Sequence, residues 1–389
     1  MTNTRFNQGA RILIFRIGEL GDTLIALPAL RAIREAFPLA HIALLGNADN
    51  RGRNVMPQQI LPTHRLIQEW ISYPSDDRGT FADRLRLLKT LRRGRYDTLV
   101  YLVPRIRSAG DVRRDLLFFR LAGIRNVIGQ KGLVALSRPA GESLPHVEHE
   151  ADHLLHRLSR SGISVPPAGT AKFTLDLSEE EKQVASVWWR KNVPAIATDN
   201  AVGFGPGSKW PSKVWPTDRF LEVGRRLIET RAIFPVVFGG PEDHELGERL
   251  LEAWGCGANA AGALSPRQAA AGLSRCMMYV GNDTGTMHLA AAVGTRCVAI
   301  MSALDWPGHW NPYGAGHTVL RRSVPCEGCL LKVCGREGMR CLREITVDEV
   351  VDACSTMLRR SFTAYVDYPE NELTDSNSRE GMMVLESVS

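Results

Sequence analysis

The sequence predicts an α/β protein made of two parallel, doubly wound units in series. Three observations carry this. Short apolar runs alternate with helical patterns along most of the 389 residues. Glycine turns follow several of those runs directly, as in RIGELGD, FGPG, FGGP and VGNDTG. The rhythm lapses once, across SGISVPPAGTAKFTLDL (161–177), and then restarts.

The elements follow in order. RILIF (11–15) reads as a strand ending in the glycine turn RIGELGD. From Asp22 to Phe37, Leu24, Leu27, Leu30 and Ile33 recur about three apart, which predicts one helix kinked at Pro28. HIALLG (41–46) and YDTLVYLV (96–103) read as strands, with a helix over FADRLRLLKTLRRG between them. After the lapse, SEEEKQVASVWWRKN (178–192) has an acidic first turn and Ser178 as its N-cap. AVGFGPG and IFPVVFGG are strand-and-turn units, each leading to a helix. MMYVGNDTG is a further strand and turn, CVAIMS (297–302) a strand, and TVDEVVDACSTMLRR (346–360) a last helix.

Composition narrows the function. Hydrophobic residues make up 44%, which suits a globular protein of two domains. No apolar run reaches the length of a membrane span, and no signal peptide is evident, so a cytoplasmic location is expected. Eight cysteines at this length do not suggest a disulfide scaffold, and Cys276 and Cys297 lie on core strands. The net charge of +6 is unevenly spread. Residues 1–172 hold 26 Lys+Arg against 15 Asp+Glu, or +11; the remainder holds 22 against 27, or −5. The first half is therefore expected to attract an anionic partner, such as a phosphorylated glycolipid or an acidic membrane face.

The chemistry gathers at the turns. In parallel sheets, ligands sit at the carboxyl ends of strands, where helix N-termini present free N–H groups. Asp283 is expected as N-cap of the helix after VGN, with Thr284 and Gly285 opening that helix and His288 on the same face as Thr284. Such a cluster suits a phosphate or a sugar. Ser208 and Lys213 in GPGSKWPSKVWP add anion-binding groups, and the acids of FGGPEDHE can meet ribose hydroxyls. Gly18 and Gly21 are three apart without the third glycine of a dinucleotide fingerprint, and no phosphate-loop lysine is present. Asp22 stands where a carboxylate can act as a base.

LIFRIGELGDTLIALPALRAIREAFP resembles the N-terminus of the ADP-heptose–lipopolysaccharide heptosyltransferases, glycosyltransferase family 9. NDTGTMHLAAAVGTRCVAI resembles that family's C-terminal signature, and KVWPTDRF its Lys-x-Trp-Pro segment. The likeness runs from about residue 11 to 360 and is weak over 47–95. It implies a GT-B fold, two Rossmann-like domains facing a cleft. Residues 1–172 would bind the acceptor and 173–345 the nucleotide-sugar. A helix over 346–362 would return to the first domain, and 363–389 would be a disordered tail.

The resemblance further implies inverting, metal-independent transfer of a heptose from ADP-heptose to a lipopolysaccharide-core acceptor. Asp22 would be the general base and Gly21 would lie beside the donor phosphates. Ser208 and Lys213 would face those phosphates, and Asp283, Thr284, Gly285 and His288 would hold sugar and pyrophosphate. Asp243 would meet the ribose, although the family more often has Glu there and Glu242 is adjacent. Arg92 and Arg93 are expected to hold the anionic acceptor. No nucleic-acid partner is expected, and the basic half would rest on the inner face of the inner membrane. Cys326, Cys329, Cys334 and Cys341 are compatible with a structural zinc or iron site, though not at a common zinc-ribbon spacing. Transfer of another sugar, or transfer to a protein or O-antigen acceptor, stays open. So do a non-catalytic nucleotide-sugar-binding protein and a GT-B-like epimerase.

Overall fold

In the computed structural model the described residues are 9–48, 55–61, 66–74, 80–105, 107–137, 143–335 and 337–366. The expected tail lies outside them from residue 367 onward.

The first unit holds β1 (Arg11–Phe15), α1 (Leu20–Ile25), α2 (Leu27–Ala36), β2 (His41–Ala48), β3 (Glu69–Pro74), α3 (Phe81–Gly94), β4 (Thr98–Tyr101), α4 (Ala109–Leu121), β5 (Asn126–Ile128) and α5 (Glu150–Ser159). Its five strands are all parallel, in the order β3-β2-β1-β4-β5. The second unit holds α6 (Glu179–Asn192), β6 (Ala201–Gly205), α7 (Thr217–Arg231), β7 (Phe234–Val237), α8 (His244–Trp254), β8 (Ala258–Asn259), α9 (Pro266–Leu273), β9 (Met278–Asn282), α10 (Gly285–Ala292), β10 (Cys297–Met301), β11 (Thr318–Arg321), α11 (Arg340–Arg343) and α12 (Val347–Val366). Its six parallel strands run β11-β10-β9-β6-β7-β8. Both orders reverse beside the unit's first strand, between β1 and β4 and between β6 and β9. Crevices form at such switch points, because neighbouring connections leave in opposite directions.

The helix expected over 22–37 is two helices. α1 closes at Ala26 and α2 begins at once, with Pro28 in its first turn. Proline costs nothing there, since first-turn N–H groups have no intrahelical acceptor. Leu24, Leu27, Leu30 and Ile33 are buried as the spacing predicts, each stabilising the fold by roughly 1.5–3 kcal/mol. Ser178 caps α6 by accepting from the Glu181 N–H, while Glu181 accepts from the Ser178 N–H. Leu175, in the stretch between the two units, donates its N–H to the Ala292 carbonyl at 3.0 Å.

Along its described side chains, up to Leu358, the last helix packs on the second unit. Val350, Cys354 and Leu358 pack into the core that also buries Val202, Phe220, Val298 and Ile300. Arg226 of α7 pairs with Asp348 at 2.5 Å, and Arg322 pairs with Glu349. An apolar stripe on α12 meets an apolar face of that unit's sheet.

Glycine governs how closely the second crevice can form. A Cβ on Gly205, the last residue of β6, would collide with the buried Tyr279 ring. Gly205→Ala should therefore lower stability by about 1–3 kcal/mol, the usual cost of overpacking. Adding Tyr279→Phe should recover part of that loss in urea unfolding.

Candidate active site

Asp22 stands in the third position of α1, one turn beyond β1. Glu19 is the N-cap, and its N–H donates to Asp22 Oδ2 at 2.9 Å. Arg16, buried directly after β1, donates from Nη2 to the Asp22 carbonyl at 2.9 Å and from Nη1 to the Leu102 carbonyl at 2.8 Å. Its Nη2 lies 3.5 Å from Asp22 Oδ1. Burial raises the Asp22 pKa by more than Arg16 and the Glu19 N–H lower it, so the net direction is up. A base with a raised pKa accepts a proton more readily.

The second unit supplies the opposite wall. Thr284, not Asp283, is the residue before α10, and its side chain makes no capping bond. The Asp283 carboxylate is instead paired with Lys213, Nζ to Oδ2 at 2.7 Å. Burial works against the charge on Lys213, but Asp283 and then Asp305 and Asp22 outweigh it and raise its pKa. Asp22 of the first unit is close enough to Lys213 of the second for its charge to act on it. Asn282 is fully buried and serves the frame: its Nδ2 donates to the Pro206 carbonyl at 2.6 Å, and its Oδ1 accepts from the Trp215 N–H at 3.1 Å. That ties the loop carrying Ser208 and Lys213 to the end of β9. Ser208 Oγ accepts from the Trp210 N–H at 3.2 Å.

The glycine turns that follow β1 and β9 meet. A Cβ on Gly21 would come within 2.9 Å of the His288 ring, and one on Gly285 within 2.5 Å of Leu20. His288 is buried, and burial followed by His149 and Lys213 lowers its pKa to about 3, so the imidazole is neutral at pH 7. Its Nδ1 has no hydrogen-bond partner. Asp243 accepts from the Gly240 N–H at 3.0 Å and lies where a Cβ on Gly207 would collide with it. Gly21 and Gly285 thus bring α1 and the start of α10, with His288, against each other, while Lys213 pairs with Asp283, Ser208 shares the Lys213 loop and Asp243 lies against Gly207.

Arg92 and Arg93 are not brought there. They close α3 at the amino end of the sheet, where Arg11 of β1 donates to the Gly94 carbonyl at 2.5 Å. Arg92 itself donates to the Leu121 carbonyl at 2.9 Å. The cleft opens at the other end of the strands, so the expected acceptor contact is corrected.

Among the described residues none of the four clustered cysteines is in a disulfide. Burial raises the Cys341 pKa, and Cys326, Cys334 and Cys329 push the same way, so the four are neighbours. Yet among the described residues no group of three or more His, Cys, Asp or Glu side chains is placed to hold a metal ion.

Several polar groups near Asp22 escaped the sequence reading. Glu150 and His309 are both fully buried, and Glu150 Oε1 lies 3.6 Å from Arg16 Nη1. His309 bridges Glu150 Oε2 at 3.1 Å and Asp305 Oδ1 at 2.8 Å. Arg16 did carry a signal, a charge set directly after an apolar strand. His309, inside a loop rich in Trp, Pro and Gly, carried none.

Two facing doubly wound units, with a carboxylate on one wall and a lysine beside a helix N-terminus on the other, define a GT-B protein. A model of the family described as glycosyltransferase family 9 (heptosyltransferase) matches residues 84–339, and the chain belongs to that family. Lipopolysaccharide heptosyltransferase 2 of Escherichia coli K12 is 36% identical over 107 residues, 25% of this chain and 30% of that protein. The match thus spans less than a third of that relative. Lipopolysaccharide heptosyltransferase 1 of the same strain is 23% identical over 321 residues, covering 80% and 93%. Among solved structures, a family 9 glycosyl transferase from Veillonella parvula aligns with a TM-score of 0.68 at 23% identity, covering 90% and 98%. The E. coli ADP-heptose LPS heptosyltransferase II aligns at 0.63 and 23%, covering 90% and 99%. The fold is shared with both.

The Lys213–Asp283 pair yields a test of the site's electrostatics. Lys213→Met should leave a buried carboxylate without its partner and cost about 3 kcal/mol in urea unfolding. Combining it with Asp283→Asn should restore most of that stability. Equal losses in the single and double variants would mean the two charges are not coupled.

Proposed function

We propose that the protein is an inverting, metal-independent glycosyltransferase that moves a heptose from ADP-heptose to an acceptor of the lipopolysaccharide-core type. The observation that carries this reading is Asp22 on one wall facing Lys213 and the start of α10 on the other, with Gly21 against His288. The names of the relatives support the choice of heptose and acceptor.

The chemistry follows from the arrangement. The acceptor hydroxyl attacks the anomeric carbon while Asp22, on its own side, takes the proton, as the base does in an inverting glycosidase. The diphosphate leaves toward the second unit. Its growing negative charge is met by Lys213 and by the N–H groups at the start of α10. A diphosphate needs no protonation to leave, so no acid is required. Ser208 and Thr284 add hydroxyl contacts, His288 serves as a neutral hydrogen-bonding ring, and Asp243 lies on the ribose side.

The basic first unit suits an anionic acceptor lying on its side of the cleft. Arg92 and Arg93, at the far end of the sheet, belong to an outer surface that an anionic leaflet would attract. Among the described residues no helix is long and apolar enough to cross a membrane.

The test is transfer from ADP-heptose to a heptose-free core glycolipid, followed by mass spectrometry. Asp22→Asn should keep ADP affinity and lower turnover by roughly 10²–10⁴-fold. Turnover within a few-fold of wild type would leave Asp22 a helix-start residue only.

A further inference from the structure

Arg16, Glu150, His309 and Asp305 form a line of charges that runs from the base across the boundary between the units. Asp22 and Glu150 both lie beside the same guanidinium, at 3.5 Å and 3.6 Å. Arg16 cannot turn to favour one of them, because the Leu102 and Asp22 carbonyls hold it. Glu150 Oε1 makes no hydrogen bond, and its other oxygen meets His309 Nε2. The opposite ring nitrogen meets Asp305, whose second oxygen accepts from Trp310 Nε1 at 3.0 Å. The Glu150 N–H also donates to the His309 carbonyl at 3.1 Å, so backbone as well as side chain joins α5 to the loop after β10.

The signs along the line alternate: Asp22 minus, Arg16 plus, Glu150 minus, His309 plus, Asp305 minus. Flanked by two carboxylates and out of water, the imidazole donates both N–H groups. Burial alone would lower its pKa, but Asp305 and Glu150 outweigh burial and raise it to about 9. One positive charge on Arg16 serves two carboxylates. How far it favours the ionised form of Asp22 depends on how much of Glu150's charge is answered elsewhere.

We propose that Glu150, on the same unit as Asp22, and His309, across the interface between the two units, are positioning residues which act through Arg16 to set the proton affinity of Asp22. The proposal rests on Asp22 being the base. Other charges face the same groups and stay constant in the test. Glu19 and Lys213 face Asp22. His149, His153 and Arg157 of the α5 segment face Glu150.

The expected signs are opposite. Glu150→Gln removes a negative charge and leaves Arg16 to Asp22 alone, so the Asp22 pKa falls. The acid limb of kcat/KM should then move to lower pH by about half a unit or more. His309→Gln removes the positive charge that answers Glu150, so the Asp22 pKa rises and the limb moves to higher pH by a similar amount. The Glu150→Gln/His309→Gln double variant should return toward wild type. Loss of packing alone would lower kcat in each variant and leave the limb in place.

The experiment is the pH profile of transfer for these three variants beside wild type and Asp22→Asn, with ¹⁵N NMR of the histidine rings in the full chain. Limbs displaced in opposite directions, with the His309 ring doubly protonated at pH 7.5 in wild type and not in Glu150→Gln, support the proposal. Displacement in one direction, no displacement, or a neutral His309 ring overturns it while leaving the base in place. An acid limb that survives in Asp22→Asn overturns the base itself and the proposal with it.

Discussion

Everything at the cleft depends on how closely two turns from different units can approach. Gly21 lies against His288, and Leu20 against Gly285, with no room for a side chain on either glycine. These contacts hold α1 and α10 start to start, so a carboxylate one residue beyond Gly21 faces the N–H groups of the opposite helix. A wider approach would separate the base from the groups that receive the leaving charge. Reaction rates fall steeply with such misplacement.

The site that results is dense in charge yet nearly dry. Arg16, Glu150, Asp283 and His309 are all almost inaccessible to solvent. Isolated charges would be expensive there, and each is instead placed beside an opposite one. The pairing has a chemical consequence as well as a structural one. Lys213 stays cationic because Asp283 answers it, and Asp22 retains a raised proton affinity because burial works against the pull of Arg16. The same low-dielectric setting that makes these groups costly would make them effective on the departing diphosphate of the proposed reaction.

Much of this could be read from the sequence. RILIF, the 178–192 helix and the strand before NDTG are short local patterns, and their periodicity decides their structure. The turn motifs located Asp22, Lys213 and Asp283–His288, because a polar cluster between apolar runs has few uses in a core. What failed depends on topology. α5 is buried nearly all round and carries Glu150, Asp152, His153 and Arg157 inside, so no amphipathic pattern marks it. α4 leaves Leu117 and Leu121 exposed, which blurs its stripe. Arg92 and Arg93 show charge plainly, but which end of a sheet a helix terminus occupies follows from strand direction. The Glu150–His309 bridge joins residues far apart in the chain, with no spacing to announce it.

The central claim is that base and leaving-group site lie on opposite walls, so attack and departure occur on opposite faces of the sugar. NMR of the purified product, read at the newly formed glycosidic carbon, tests this most directly. Attack and departure on opposite faces give an anomeric configuration opposite to that of the donor. A product that keeps the donor's configuration would contradict it.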